Sequence, residues 1–156
     1  MYILVDTNVY LDFLLDRGKQ SEVAKRFFIN AHISRSKIFL SPMSLRDIGY
    51  IAGRALHNQF KGKQAQSDAY ALSQKMIDVS RSDAIEALYS DMKDYEDALL
   101  VESAKRELLD LIVTNNIKDF EKATGISVWT PEYFNEVIGV KFKEIDNVSG
   151  IDLYEL

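Results

Sequence analysis

Residues 93–120 read KDYEDALLVESAKRELLDLIVTNNIKDF. Tyr95 to Leu109 suits a helix, and Leu111-Ile112-Val113 suits a buried strand, a short apolar run bounded by polar residues. Asp94 and Asp97 share one helix face at i,i+3 spacing. Asn115, Asn116 and Asp119 follow the strand directly. In open parallel sheets ligands bind just outside the carboxyl ends of the strands. This stretch therefore places acidic and amide groups where a site is expected.

Working outward, the same logic repeats. Tyr2 to Val5 is an apolar run that stops at Asp6 and reads as a second buried strand, followed by a short helix ending near Gly18. Ser21 is a plausible N-cap for a helix to Ala31, and Lys37 to Leu40 is another strand. Ser41-Pro42 opens a helix carrying Asp47, with Gly62-Lys63 expected to close it and Ala65 to Met76 to form the next. Ile77-Asp78-Val79 is a candidate third strand, Ser80 a cap for the helix Asp83 to Ser90, and Val128-Trp129 a fifth strand before Thr130-Pro131 starts a last helix. Strands alternating with helices predict an α/β fold, a central parallel sheet of four or five strands flanked by helices in three layers. The segment Val140 to Leu156 shows no firm periodicity. The expected organisation is one domain over 1–138 with a C-terminal extension over 139–156.

Each acid has an ordinary structural explanation as well. Asp6 fits a turn or an N-cap, Asp47 the first turns of a helix, Asp94 the cap of the helix bearing Asp97, and Asn115-Asn116 a turn. The functional reading rests on their combination.

That combination carries a resemblance. YILVDTNVYLDFLL resembles the opening of the PIN domain, SPMSLRDIGYIAGRAL its second acidic motif, and KDYEDALLVESAKRELLDLIVTNNIKDF its third and fourth motifs at their usual separation. ISVWTPEYF is similar to the final strand and helix, so the likeness covers about residues 1 to 138. It implies a PIN-like sandwich and an activity like that of the VapC-like toxin ribonucleases of bacterial toxin–antitoxin pairs. Carried over by position, Asp6, Asp47 (where most members have glutamate), Asp97 and Asn116 are the catalytic candidates. Asp6, Asp47, Asp97 and Asp119 are the metal-binding candidates, with Asn116, Asp119 or Asp94 completing the site. Thr114 and Asn8 would orient the acids or a water. The resemblance implies Mg2+ or Mn2+, hydrolysis of RNA phosphodiesters, a cognate antitoxin and a homodimer. A catalytically weak PIN domain that binds RNA or protein is the alternative.

Composition narrows the chemistry. The chain has no cysteine, and His32 and His57 stand in unrelated polar contexts, so a catalytic metal must take oxygen ligands, which selects magnesium, manganese or calcium. The net charge of −5 counts against a passive nucleic-acid coat but not against carboxylates that hold cations facing a phosphate. Arg46, Arg54 and Lys118 are candidate phosphate contacts, each also explicable as a helix-surface residue. Acids interrupt the N-terminal apolar segment, so neither a signal peptide nor a membrane span is expected, and a cytoplasmic location is. A haloacid-dehalogenase-type phosphatase would need a carboxylate where Asn8 stands. A response-regulator receiver would need a phosphoacceptor that Ile77-Asp78-Val79 imitates poorly. Phe27, Phe28, Phe39 and Trp129 are expected to pack in the core rather than stack on bases, with Phe120 less decided.

Overall fold

The computed structural model describes residues 1–139. Most of the extension expected over 139–156 lies outside the described residues. At the centre is strand β1 (Tyr2–Val5), its last three residues buried as an apolar run with covered faces requires. It pairs in parallel with β2 (Lys37–Leu40), Ile3 opposite Ile38, and with β4 (Leu111–Val113), Leu4 opposite Ile112. β3 (Lys75–Met76) flanks β2, and β5 (Ser127–Trp129) flanks β4. The sheet order is β3-β2-β1-β4-β5, all parallel. Successive strands step one way from β1 to β3, then resume on the other side of β1 at β4. The reversal between β1 and β4 is the switch point at which such sheets hold ligands.

Alternate residues of the strands face opposite layers. Ile3, Val5, Ile38, Leu40, Leu111 and Val113 share one core with α1 (Thr7–Leu14), α2 (Lys19–Ile33), α3 (Pro42–Ala55), α4 (Gln59–Leu72) and α7 (131–139). Leu4, Phe39 and Ile112 face the other way, against Leu100, Val101 and Ala104 of α6 (Tyr95–Arg106). α5 (Arg81–Leu88) packs on α6 through Ala87, Ala98 and Leu99. This is the expected three-layer sandwich. Phe27, Phe28, Phe39 and Phe120 are buried, and Trp129 packs partly buried against the larger core.

Several boundaries differ from expectation for identifiable reasons. Ser41 caps α3 with Pro42 in its first turn, and Ser80 and Asp83 form a reciprocal capping box on α5, as the residue types require. α2, however, begins at Lys19 after Gly18, so Ser21 is a buried residue inside the first turns rather than the cap. Gly62 does not end α3. It lies within α4, where a Cβ would stand 2.5 Å from the Gly49 carbonyl oxygen of α3, and the missing side chain lets the two helices touch backbone to backbone. β3 is Lys75–Met76 rather than Ile77–Val79, although the Ile77 N–H still donates to the Leu40 carbonyl.

α6 stops at Arg106, short of the expected Leu109. Leu108 adopts φ +56°, and the Leu109 N–H turns back to the Ala104 carbonyl at 3.0 Å while the Leu108 N–H meets Lys105. That is a Schellman end with leucine in the left-handed position usually given to glycine. Asp16, Arg35 and His57 do the same after α1, α2 and α3. Leu108 is almost wholly exposed, so its side chain contributes little packing. Leu108→Gly is expected to stabilise the fold by about 0.5–1 kcal/mol, left-handed strain relieved against greater unfolded-chain freedom. A lower urea midpoint for the variant would contradict this.

Candidate metal and catalytic site

The ends of β1 and β4 lie side by side, Val5 opposite Val113, and the Asp6 N–H continues the ladder to the Val113 carbonyl at 2.9 Å. The next side chain on each strand closes a clamp. Asp6 caps α1, its Oδ1 accepting from the Thr7 N–H at 2.7 Å, and its Oδ2 accepts from Thr114 Oγ1 at 2.8 Å. Thr114, fully buried, in turn accepts from the Asn116 N–H at 3.0 Å. Asp6 is thus held by both oxygens at the switch point and is 7% exposed. Burial pushes its carboxyl up, the Thr114 and Thr7 hydrogen bonds oppose this, and Asp119 and Asp94 add like-charge repulsion.

Asp97, half-buried in the first turn of α6, is pushed up to about 7 by burial and then by Asp6, Asp94, Asp119 and Glu96. Asp6, Asp94, Asp97 and Asp119 therefore form one electrostatic neighbourhood, built from the end of β1, the start of α6 and the 3-10 turn Ile117–Phe120. Within it Asp94 also fills its ordinary role, accepting from the Glu96 and Asp97 N–H groups as N-cap. Asp119 is exposed.

Asp47 stands apart electrically. It lies on α3 and accepts from Arg46 at 2.9 Å, while the same guanidinium reaches Glu96 of α6 at 2.9 Å. Arg46, itself exposed, therefore ties two acids together at the surface. The Asn116 side chain is exposed, and only its backbone enters the clamp. The Asn8 side chain makes no hydrogen bond among the described residues. Arg54 donates to the Tyr50 hydroxyl at 2.9 Å and lies over its ring, in a groove between α3 and α4. Lys118 lines a depression beside Asp94 and Asp119.

Two participants escape the sequence reading. Asp12 of α1 is buried and accepts from the Asn115 side chain, joining the loop after β4 to α1, with Arg17 at 3.6 Å on its other oxygen. An acid inside the apolar stretch YLDFLL was the available signal. Glu96 is the other, and its tie to Arg46 spans 50 positions, which no local pattern announces.

The donor set suits a hard cation. Asp6 and Asp97 have no ion-pair partner among the described residues, and both are raised first by burial and then by neighbouring acids, a repulsion a divalent ion would relieve. Also among the described residues, no three acidic or histidine side chains converge closely enough to hold one ion. An oxygen-only donor set completed by waters suits a hard divalent cation.

A doubly wound parallel sheet with an acidic centre at its switch point places the protein in the α/β class. Residues 2–118 match the PIN domain family, and the chain belongs to it. Solved structures agree on the fold. VapBC2 from Rickettsia felis bound to a promoter DNA fragment gives a TM-score of 0.63 at 17% identity, covering 83% of this chain and 98% of that one. DNA-bound VapBC from Salmonella typhimurium gives 0.62 at 18% identity, covering 84% and 98%. A toxin–antitoxin complex from Klebsiella pneumoniae gives 0.57 at 25% identity, covering 83% and 97%. No curated protein sequence matches significantly. No helix among the described residues is long and apolar enough to cross a membrane.

Proposed function

We propose that the protein is a metal-dependent endoribonuclease, the toxin of a type II toxin–antitoxin pair. The observation that carries this is the buried Asp6–Thr114 clamp beside Asp97 at the switch point of a PIN-domain sheet. Asp6 and Asp97 would hold the ion, with Asp119 or Asp94 contributing through water and Asp47 reaching the site once Arg46 releases it. When bound, Mg2+ or Mn2+ supplies the positive charge that acidifies water and offsets charge on the phosphodiester. Thr114 keeps the Asp6 carboxylate in one orientation, and the Asn116 N–H keeps Thr114 in its own. Asp94 holds the first turn of α6, and with it Asp97, in place. Water would add to phosphorus with loss of a proton to solvent, and the bond to the leaving ribose oxygen would break as that oxygen takes a proton up.

The toxin role and an antitoxin partner draw support from the likeness to solved toxin–antitoxin complexes; a homodimer rests on the family resemblance of the motifs alone. On this reading the protein works in the cytoplasm, with 1–138 as the catalytic unit. The second reading, a PIN domain that grips RNA without cutting, is favoured by the pairing of Asp47 with Arg46 and the absence of a three-acid cluster among the described residues. A panel of structured and single-stranded RNAs, with magnesium, manganese or EDTA, separates them. Cleavage that requires the metal is expected; retention of RNA without cleavage under every condition establishes the binding module instead.

A further inference from the structure

The hairpin formed by α3 and α4 has a tip whose charge departs from that of the whole chain. Between Asp47 and Asp68 there is no acid, whereas Arg54, Lys61 and Lys63 carry three positive charges, in a protein of net charge −5. Every residue from Arg54 to Lys61 is exposed. The two bordering acids are engaged elsewhere, Asp47 with Arg46 and Asp68 with the Gln64 amide at 2.9 Å. Arg54, Lys61 and Lys63 make no ion pair among the described residues. The tip is therefore a local positive surface on an acidic protein.

It also holds a groove. Only Leu56 and His57 separate α3 from Asn58, the cap of α4. A Cβ on Gly62 would stand 3.0 Å from the Gly53 Cα, so the two helices meet backbone to backbone. Beside this contact about 440 Å³ is enclosed by Tyr50 and Arg54 of α3, Gln59 and Lys63 of α4, and His57 between them. No acid and no aliphatic side chain lines it. Arg54 donates to the Tyr50 hydroxyl at 2.9 Å and lies over that ring, 5.7 Å from its centroid. Its other N–H groups have no partner among the described residues, and a planar guanidinium with free donors suits a phosphate. Phe60, whose N–H is held by Asn58 Oδ1, is 87% exposed, the most exposed large apolar side chain among the described residues. A groove without aliphatic walls offers an amphipathic helix of a protein partner little to bury against. Cations beside a free aromatic ring are what a strand with unpaired bases requires.

We infer that the α3–α4 tip grips single-stranded RNA outside the acidic centre, Arg54 and Lys63 meeting backbone phosphates and Phe60 stacking a base. The inference rests on the reading above of a protein that engages RNA. Asp47, Tyr50 and Arg54 follow at i, i+3 and i+7 on one face of α3, so Arg54 stands about 10 Å along the helix axis from Asp47. Arg54, Lys63 and Phe60 are positioning residues.

The test follows a fluorescein-labelled single-stranded oligoribonucleotide, by anisotropy in EDTA and by cleavage with magnesium or manganese. It compares the parent with Arg54→Gln/Lys63→Gln, Phe60→Ala and a charge-matched control on α2, Lys25→Gln/Arg26→Gln. All five positions are exposed, so folding is preserved. The double variant binds at least about tenfold more weakly and raises KM to match with kcat unchanged, as the loss of charged hydrogen bonds requires. Its slope of log affinity against log salt weakens by roughly 0.7 for each phosphate no longer neutralised. Phe60→Ala weakens binding roughly five- to a hundredfold, the worth of one stacked base. The control matches the parent. If both tip variants keep the parent's affinity and KM, or the control shifts equally, the grip is refuted, and cleavage by the parent keeps the nuclease reading. If the tip variants lose affinity but no metal supports cleavage, the nuclease reading falls and the grip stands. If the parent neither binds nor cuts the RNA, both fall. If a polyglutamate peptide of matched charge binds as tightly as the RNA and Phe60→Ala weakens neither, the surface serves an acidic protein and the inference is overturned.

Discussion

Asp97→Asn is expected to reduce RNA cleavage at least about a hundredfold, since losing even an outer-shell partner of a metal costs ten- to a hundredfold, while the metal-free fold holds or gains stability. The two effects differ in sign because the carboxylate is crowded by Asp6, Asp94, Asp119 and Glu96 in the absence of metal. The pH dependence follows. The unfolded chain releases this proton near 3.8, whereas folded Asp97 keeps it up to about 7. Between those values the folded state binds more protons, so stability contributed at this position falls as pH rises from about 4 to about 7 and levels off above. The asparagine variant lacks that decline. Manganese should raise the melting temperature of the parent more than that of the variant. Thermal melts with and without manganese, across this pH range, read all three effects. Equal metal-induced shifts in the two proteins would remove Asp97 from the site.

Phe27→Ala should cost about 4 kcal/mol, the middle of the range for deleting a fully buried phenylalanine. Phe27 has no exposed surface and meets Phe28 and Phe134 edge-on, with centroids 5.2 and 5.0 Å away. Through Phe134 it joins α2 to α7, so the loss falls on the attachment of the last described helix to the body. Part of the cost, roughly 0.5–1.5 kcal/mol, belongs to the aromatic pair and should emerge from a cycle with Phe134→Ala. Urea unfolding should show a lower midpoint at unchanged slope. Set against typical domain stabilities of about 5–15 kcal/mol, the variant keeps a native state, and its activity per folded molecule should match the parent. A cost below about 1 kcal/mol would mean the site collapses around the gap.

The strands that set the site were readable because their cause is local. β1, β2 and β4 are short apolar runs bounded by polar residues, and the structure keeps their limits. Ser41-Pro42 marked the start of α3 for the same reason. Helix ends were harder because the usual marker was absent: Asp16, Arg35, His57 and Leu108 turn left-handed where a glycine would have announced it. Gly62 had the marker without the stop, since its cause is a close approach to another helix. β3 lacked an apolar signature because its two residues are exposed. Its pairing begins at Gln74, which meets the Ile38 N–H through its side chain and the Ile38 carbonyl through its N–H. In the candidate site, the positions of Asp6 after a strand and of Asp97 at a helix start were legible. The Arg46–Glu96 and Asp12–Asn115 ties join distant segments, so only the folded chain displays them.

The sheet is bordered by strands of two and three residues. Borders this short leave too few free peptide groups to template an added strand. Among the described residues the sheet therefore offers a protein partner little main-chain pairing, the mode that tolerates almost any extended sequence. Recognition then falls to helix surfaces and side chains, where one wrong charge or missing methyl group changes the outcome. Related chains sharing this architecture in one cell could therefore each keep to a single partner by surface substitutions alone, with the sheet left untouched.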